Sequence, residues 1–203
     1  MRAKRTRAQQ TDERRLAIVA AALDAFVESG FEATKISDVA ARAGVAKGTV
    51  YLHFADKEAL FEAIVRDALS PVVQGIGAIS TDGVASVRSL FEAFALPLML
   101  DIVESRRGDV LRLLISEGRR FPRLAEFYHA EILTPAKAHI QRLLCKAVEN
   151  GELRNPGLAE YPLLVAAPML MSVIWAGLFQ RLDPIDFEAL FRTHLDTLFM
   201  PGA

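Results

Sequence analysis

Residues 36–54 read ISDVAARAGVAKGTVYLHF, and their spacing decides the fold. Ala40 is followed four positions later by Gly44, and six later again by Val50. A helix that must lie close against a second one needs a small contact residue, which Ala40 supplies. A sharp turn through left-handed backbone costs glycine least, which suits Gly44. Val39, Val45 and Val50 then fill the small core between two helices. The second helix presents Lys47, Gly48, Thr49, Leu52 and His53 on its outer side. This is the pattern of a helix-turn-helix, whose second helix enters the major groove of DNA. Lys47 can neutralise a phosphate or reach guanine, and Thr49 offers a hydroxyl and a methyl to a base edge. Gly48 removes a side chain where the helix approaches the duplex. Tyr51 and His53 can donate to phosphate oxygens. Lys57 opens the next helix, where free backbone N–H groups favour an anion. Thr34 and Lys35, just ahead of the first helix, complete the phosphate candidates. Taken singly, Tyr51 is as well read as a core aromatic and Lys57 as a solvated first-turn residue. As a set behind one Ala-Gly-Val frame, they favour DNA.

The pattern outside this stretch is helical throughout. Leu16, Val19, Ala20, Leu23, Phe26 and Val27 recur as one helical face. Thr11 or Asp12 is expected to cap that helix and Gly30 to end it, with Phe31 making the apolar contact that follows such an end. A short helix is expected from about Ile36 to Ala43 with Thr34 as its cap, a third from Lys47, and a fourth from Lys57 capped by Asp56. Beyond Ser70-Pro71 longer helices are expected over 84–105, 109–118, 122–149, 157–181 and 185–199, with Pro97, Pro135 and Pro168 kinking them. The division is thus a flexible basic arm over 1–10, a DNA-binding domain over 11–66 and an all-helical domain over 67–203.

The chain has 203 residues, 52% of them hydrophobic and 24% charged, which excludes disorder for most of its length. One cysteine, Cys145, leaves no internal disulfide and suits a reducing, cytoplasmic setting. The net charge of −1 hides an asymmetry: residues 1–66 hold 11 Lys+Arg against 9 Asp+Glu, and residues 67–203 hold 13 against 16. Arg2, Lys4, Arg5 and Arg7 stand in an arm without an acid. No apolar run with a cleavage site follows it, so a signal peptide is not expected. Residues 161–180, YPLLVAAPMLMSVIWAGLFQ, carry no charge and are long enough to span a bilayer. Pro162, Pro168, Ser172 and Gly177 argue instead for burial in protein, leaving a membrane anchor as the alternative of a different class.

The stretches IVAAALDAFVESGFEATKISDVAARAGVAKGTVYLHF and ADKEALF, within residues 12–61, resemble the N-terminal domain of the tetracycline-repressor (TetR) family of transcriptional regulators. The likeness covers about a quarter of the chain. It implies that Thr49, Tyr51, His53 and Lys57 fall on DNA-contact positions, with Lys47 and Gly48 beside them. One departure is Ala46, where many relatives carry a hydroxyl; losing such a cap costs about 1 kcal/mol of helix stability. The resemblance further implies an all-α C-terminal domain that dimerises through its last two long helices and holds a small-molecule pocket. LLISEGRRFPRLAEFYHAEILTPA is similar, more loosely, to regulatory domains of a subgroup linked to efflux.

The residues independently support a dimer, because a helix as apolar as 161–180 does not suit solvent. Leu163, Ala167, Leu170, Ile174, Leu178, Leu190, Leu195 and Leu198 are the interface candidates, pairing as an isologous four-helix bundle. Two recognition helices would then read a palindromic site about 34–36 Å apart. Phe91, Phe94, Leu98, Leu111, Leu114, Ile115, Phe127, Met169, Met171 and Trp175 are candidates for an effector pocket, with Arg119, Tyr128 and His129 as polar anchors. Plain core packing is the competing reading of each. No GxSxG, P-loop or HExxH motif occurs, His53, His129, His139 and His194 lack metal-ligand spacing, and Cys145 has no base partner nearby in sequence. Neither catalysis, a metal nor a cofactor is expected. The expected protein is a dimeric, effector-released repressor of a palindromic operator; an activator with the same head is the alternative.

Overall fold

The computed structural model describes residues 7–81, 83 and 86–202. Among them every regular element is a helix, apart from one isolated antiparallel bridge between Leu153 and Phe199. Helix α1 (Arg7–Ser29) begins four positions before Thr11, so residues 7–10 of the expected arm form its first turn. Arg2, Lys4 and Arg5 lie outside the described residues. The buried stripe of α1 is rotated from the expected one. Ile18 and Ala22 are fully buried beside Val19, Leu23 and Phe26, while Leu16 and Val27 stand in solvent. Periodicity permits both stripes, and packing against the second and fourth helices selects one.

Gly30 ends α1 at φ +81°, its N–H donating to Phe26 O at 2.9 Å. The turn drops Phe31 into a cluster with Phe26 at 5.1 Å, Phe61 at 5.5 Å and Phe121 at 4.7 Å between ring centres. Helices α2 (Ile36–Arg42) and α3 (Lys47–His53) turn about Gly44 at φ +67°, with Val39, Ala40 and Val50 buried between them. Lys35, rather than Thr34, caps α2, and its backbone N–H donates to the Asp38 carboxylate at 3.2 Å. Ala46 leaves α3 without a side-chain cap, as its lost hydroxyl implied.

Helix α4 (Lys57–Ala78) starts under Asp56, whose carboxylate accepts the Ala59 N–H at 2.7 Å. It runs unbroken through Pro71 and through the boundary expected at residues 66 and 67. One helix therefore belongs to both halves of the molecule, and the described chain has no linker there. Its neighbours are α1 and, in the C-terminal half, α7 (Arg106–Glu117), α8 (Pro122–Tyr128) and α9 (Thr134–Glu149).

α5 (Val87–Leu90) passes through a π turn at Phe91–Ala95 into α6 (Leu96–Glu104), and α8 passes through another at His129–Leu133 into α9. Each π turn ends two residues before a proline, Pro97 or Pro135. A helical proline lacks an N–H and its ring presses on the carbonyl four residues back. The widened turn absorbs that misfit: the Leu96 N–H reaches Phe91 O, and the Thr134 N–H reaches His129 O. Pro168 sits inside α10 (Leu163–Leu178) without one, and α11 (Phe187–Leu198) closes the fold. The charge-free stretch thus yields a helix of 16 residues, about 24 Å long against a hydrocarbon core of about 30 Å. Among the described residues no helix is long and apolar enough to cross a membrane.

Glu152, 6% exposed, pins α5 to the turn after α9. Its carboxylate accepts the Val87 N–H at 2.8 Å, the Arg88 N–H at 3.1 Å, the Ser86 hydroxyl at 3.3 Å and the Asn150 amide at 2.7 Å. Burial pushes its pKa up, but the Asn150, Val87, Arg88 and Ser86 hydrogen bonds outweigh burial and hold it below the usual glutamate range. A carboxyl with a lowered native pKa stabilises the fold above the unfolded value, and that contribution is lost as pH falls through the native one. Glu152→Gln is expected to lower stability at neutral pH by about 1–3 kcal/mol and to flatten the loss of Tm below about pH 4.5. Thermal melts of both proteins across pH 3–7 check this.

Candidate DNA-binding head and regulatory cavity

A shallow groove on the head brings together Thr34, Lys35, Lys47, Tyr51 and Lys57, with Ile36, Ser37 and Asp56. Lys35, Lys47 and Tyr51 are exposed, and Lys47 Nζ lies 5.8 Å from the Tyr51 ring centre. Gly48 is exposed, and Thr49 and His53 are half-buried, outside that groove. Two of the expected contacts have inward duties. Thr34 is 3% exposed, and its hydroxyl lies 2.8 Å from Gly30 O and 3.1 Å from Ala25 O. The Lys57 ammonium donates to Phe31 O at 2.6 Å, Glu32 O at 2.9 Å and Thr34 O at 3.1 Å, and lies 4.6 Å from the Phe31 ring centre. Its three protons are committed to the loop, so in this conformation it offers a passing phosphate charge rather than a hydrogen bond.

Gly48 has no packing reason among the described residues. A Cβ built there meets nothing within 4 Å, and its φ is outside the left-handed region. Glycine in a helix costs about 0.5–1 kcal/mol relative to alanine, and no contact among the described residues requires it here.

The C-terminal half contains a partly open cavity of about 220 Å³. Of the thirteen pocket candidates, Phe91, Phe94, Leu98 and Met169 line it. The others do not. Leu111 and Leu114 are buried in the general core, while Ile115, Arg119 and His129 face solvent. Phe127 lies under the Arg66 guanidinium at 4.5 Å. Tyr128 is packed away so that burial raises its phenol to about 12. Met171 is exposed, and Trp175 donates to Asp183 O at 2.7 Å, pinning the turn after α10. The missed walls come from α4 (Val72, Gly75, Ile76), from Ile79 just beyond it, and from Ile102, Leu143 and Val165. The signal was present: Val65, Leu69, Val72, Val73 and Ile76 continue the helical period straight through Pro71. No lining residue carries an ionisable or hydrogen-bonding side chain.

The interface candidates divide. Leu163, Ala167, Leu170 and Leu178 are exposed, with Leu164 and Met171 beside them, and Ile174 and Leu190 are half-buried. Leu195 and Leu198 are turned into the protomer core. The outer side of α11 is polar, carrying Glu188, Arg192, Thr193 and Asp196, so the apolar face belongs to α10 rather than to the whole hairpin.

A head of this geometry on an all-helical body defines a helix-turn-helix transcriptional regulator. Residues 18–64 match the family described as bacterial regulatory proteins, tetR family, and residues 86–197 match the tetracyclin repressor-like C-terminal domain. The chain belongs to the TetR family. It is 32% identical over 143 residues to the uncharacterised HTH-type transcriptional regulator YdeS of Bacillus subtilis, covering 68% of this chain and 67% of that one. It is 35% identical over 86 residues to the HTH-type transcriptional activator FasR of Mycolicibacterium smegmatis, covering 41% of this chain and 39% of that one. SmeT, repressor of the Stenotrophomonas maltophilia multidrug efflux pump SmeDEF, is 25% identical at a TM-score of 0.72, over 93% of this chain and 91% of that one. The triclosan complex of SmeT matches at a TM-score of 0.80 and 23% identity, covering 94% and 93%.

Gly48→Ala is expected to raise the stability of the head by about 0.5–1 kcal/mol while weakening duplex binding at least tenfold. Lys57→Met is expected to lower stability by about 1.5–3 kcal/mol, since it removes charge-assisted bonds. Thermal melts and fluorescence anisotropy on labelled duplex read both effects.

Proposed function

We propose that the protein is a dimeric repressor that holds a palindromic operator and leaves it when a small apolar effector enters the C-terminal cavity. The observation that carries this reading is the double duty of α4. Lys57, at its first turn, clamps the loop that supports the head, and Val72, Gly75 and Ile76, toward its far end, wall the cavity. An occupant that needs more room on that wall binds better when α4 is displaced, and a displaced α4 carries the head with it. Release then follows from the effector's differential affinity for the two states, typically about 1–3 kcal/mol.

The lining selects the effector class. With no ionisable or hydrogen-bonding side chain in its walls, the cavity gives a charged ligand nothing to replace the hydration it loses on entering, so the fit is to a small uncharged molecule dominated by carbon. The structural likeness to SmeT, crystallised with triclosan, supports the same choice. The exposed α10 face, from Leu163 through Ala167, Leu170 and Met171 to Leu178, supports a second copy as partner. A basic head over an acidic body supports duplex DNA meeting the head, in the cytoplasm. Activation is the second reading, favoured by the likeness to FasR.

A gel shift with the palindrome upstream of the regulated promoter is expected to show one discrete complex that small apolar compounds dissolve and charged analogues do not; indifference to every apolar compound would sink the effector assignment. Leu163→Glu with Leu170→Glu is expected to yield a monomer in analytical ultracentrifugation and to weaken operator binding about 100-fold or more, since half-sites then bind singly.

A further inference from the structure

Leu52 is 85% exposed, the most exposed large apolar side chain among the described residues. An exposed leucine alone carries nothing, because most protein surfaces have them. Its place on α3 is what matters. Val50, fully buried, marks the direction of the core. At about 100° per residue, Gly48 and Leu52 lie about 160° from Val50 on either side, so together they form the outermost line of the helix. Gly48 lets the backbone come close at the first turn, for no reason inside the protein. Leu52, one turn later on the same line, projects an isobutyl group toward whatever the backbone approaches. Lys47 and Lys35 flank the helix on the grooved side, where Lys47 Nζ lies 5.8 Å from the Tyr51 ring centre. Leu52 has no hydrogen-bonding group, so it reads no donor or acceptor. In the major groove the one apolar mark on a base edge is the C5-methyl of thymine.

We infer that Leu52 is a specificity-determining residue, seating against a thymine methyl in each operator half-site. This rests on the DNA-binding reading above and adds to it a base preference carried by a side chain with no hydrogen-bonding group. Among the polar residues of α3 only Thr49, half-buried, carries a methyl that could meet a base edge; Leu52, exposed, distinguishes thymine from every base lacking a methyl, uracil included, and the Leu52→Ala variant separates the two.

The experiment separates the inference from the reading it rests on. Duplexes are selected from a random pool by the full-length protein, and each thymine of the selected half-site is then replaced singly by deoxyuridine, which removes only the methyl. One position per half-site is expected to weaken wild-type binding about threefold to tenfold on losing its methyl. Leu52→Ala is expected to bind the thymine duplex more weakly by a similar factor, and to show no further loss with deoxyuridine at that position. Because Leu52 is exposed, the variant is expected to melt at the wild-type temperature. A selected half-site without a methyl-sensitive thymine overturns the inference while leaving DNA binding intact. So does a deoxyuridine penalty that persists in full in Leu52→Ala. Failure to select any duplex overturns the DNA-binding reading itself, and the inference with it.

Discussion

One ammonium group fastens the turn between α1 and α2 to the first turn of α4, the helix that continues into the rest of the molecule. Lys57 Nζ donates to the carbonyls of Phe31, Glu32 and Thr34 while resting over the Phe31 ring. Those carbonyls belong to the turn between α1 and α2, which has no helical partner for them. A half-buried cation bonding three carbonyls satisfies a loop that would otherwise need water. Below it, Phe31 locks against Phe26 and Phe61 of the head and against Phe121 at the entrance to α8. The Arg106–Asp24 ion pair at 2.5 Å and the Arg120–Glu32 pair join the halves at the same junction. These exposed pairs add little stability singly; the Phe31–Phe121 contact and the unbroken α4 make the junction stiff, and the carbonyl clamp fixes the α1–α2 turn onto α4. Everything proposed about signalling requires that stiffness, since a loose junction would let α4 move without the head.

The other end of α4 meets the cavity, whose opposite wall is the π turn of Phe91–Ala95. That turn exists because Pro97 cannot continue an α ladder, and it swings Phe91, Phe94 and Ala95 to the cavity wall. Arg142 completes the arrangement by donating to Ile79 O at 3.0 Å, capping carbonyls that α4 leaves open. A proline misfit, a widened turn and an apolar chamber are thus consequences of one another.

Much of this was legible in the residues. Gly30 and Gly44 were read as left-handed turns and have φ of +81° and +67°. Asp56 was read as the cap of α4 and is one. The helix spans beyond residue 84 fell within about three positions of those expected, except that the helix expected over 157–181 begins only at Leu163, after a separate 3-10 turn at Pro156–Glu160. What was not legible required knowing which elements are neighbours. Thr34 was read as a cap and a phosphate ligand from its place just ahead of α2; here the carbonyls of Ala25 and Gly30 claim its hydroxyl. Leu195 and Leu198 looked like interface because α11 was pictured beside a second copy, whereas its apolar side faces its own protomer. The pocket list erred for the same reason, since an apolar residue on a helix does not declare whether it meets a void or another side chain.

Local chemistry therefore settled the family, the helical class and the turn positions, because a left-handed glycine, a capping carboxylate and an Ala-Gly-Val frame act over a few residues. The small net charge concealed a basic head and an acidic body, and that too was readable from the chain. Which face of α1 is buried, which side chains wall the cavity and that α4 serves both halves were decided only by tertiary packing. Periodicity defines faces up to a rotation, and only neighbouring helices choose the rotation.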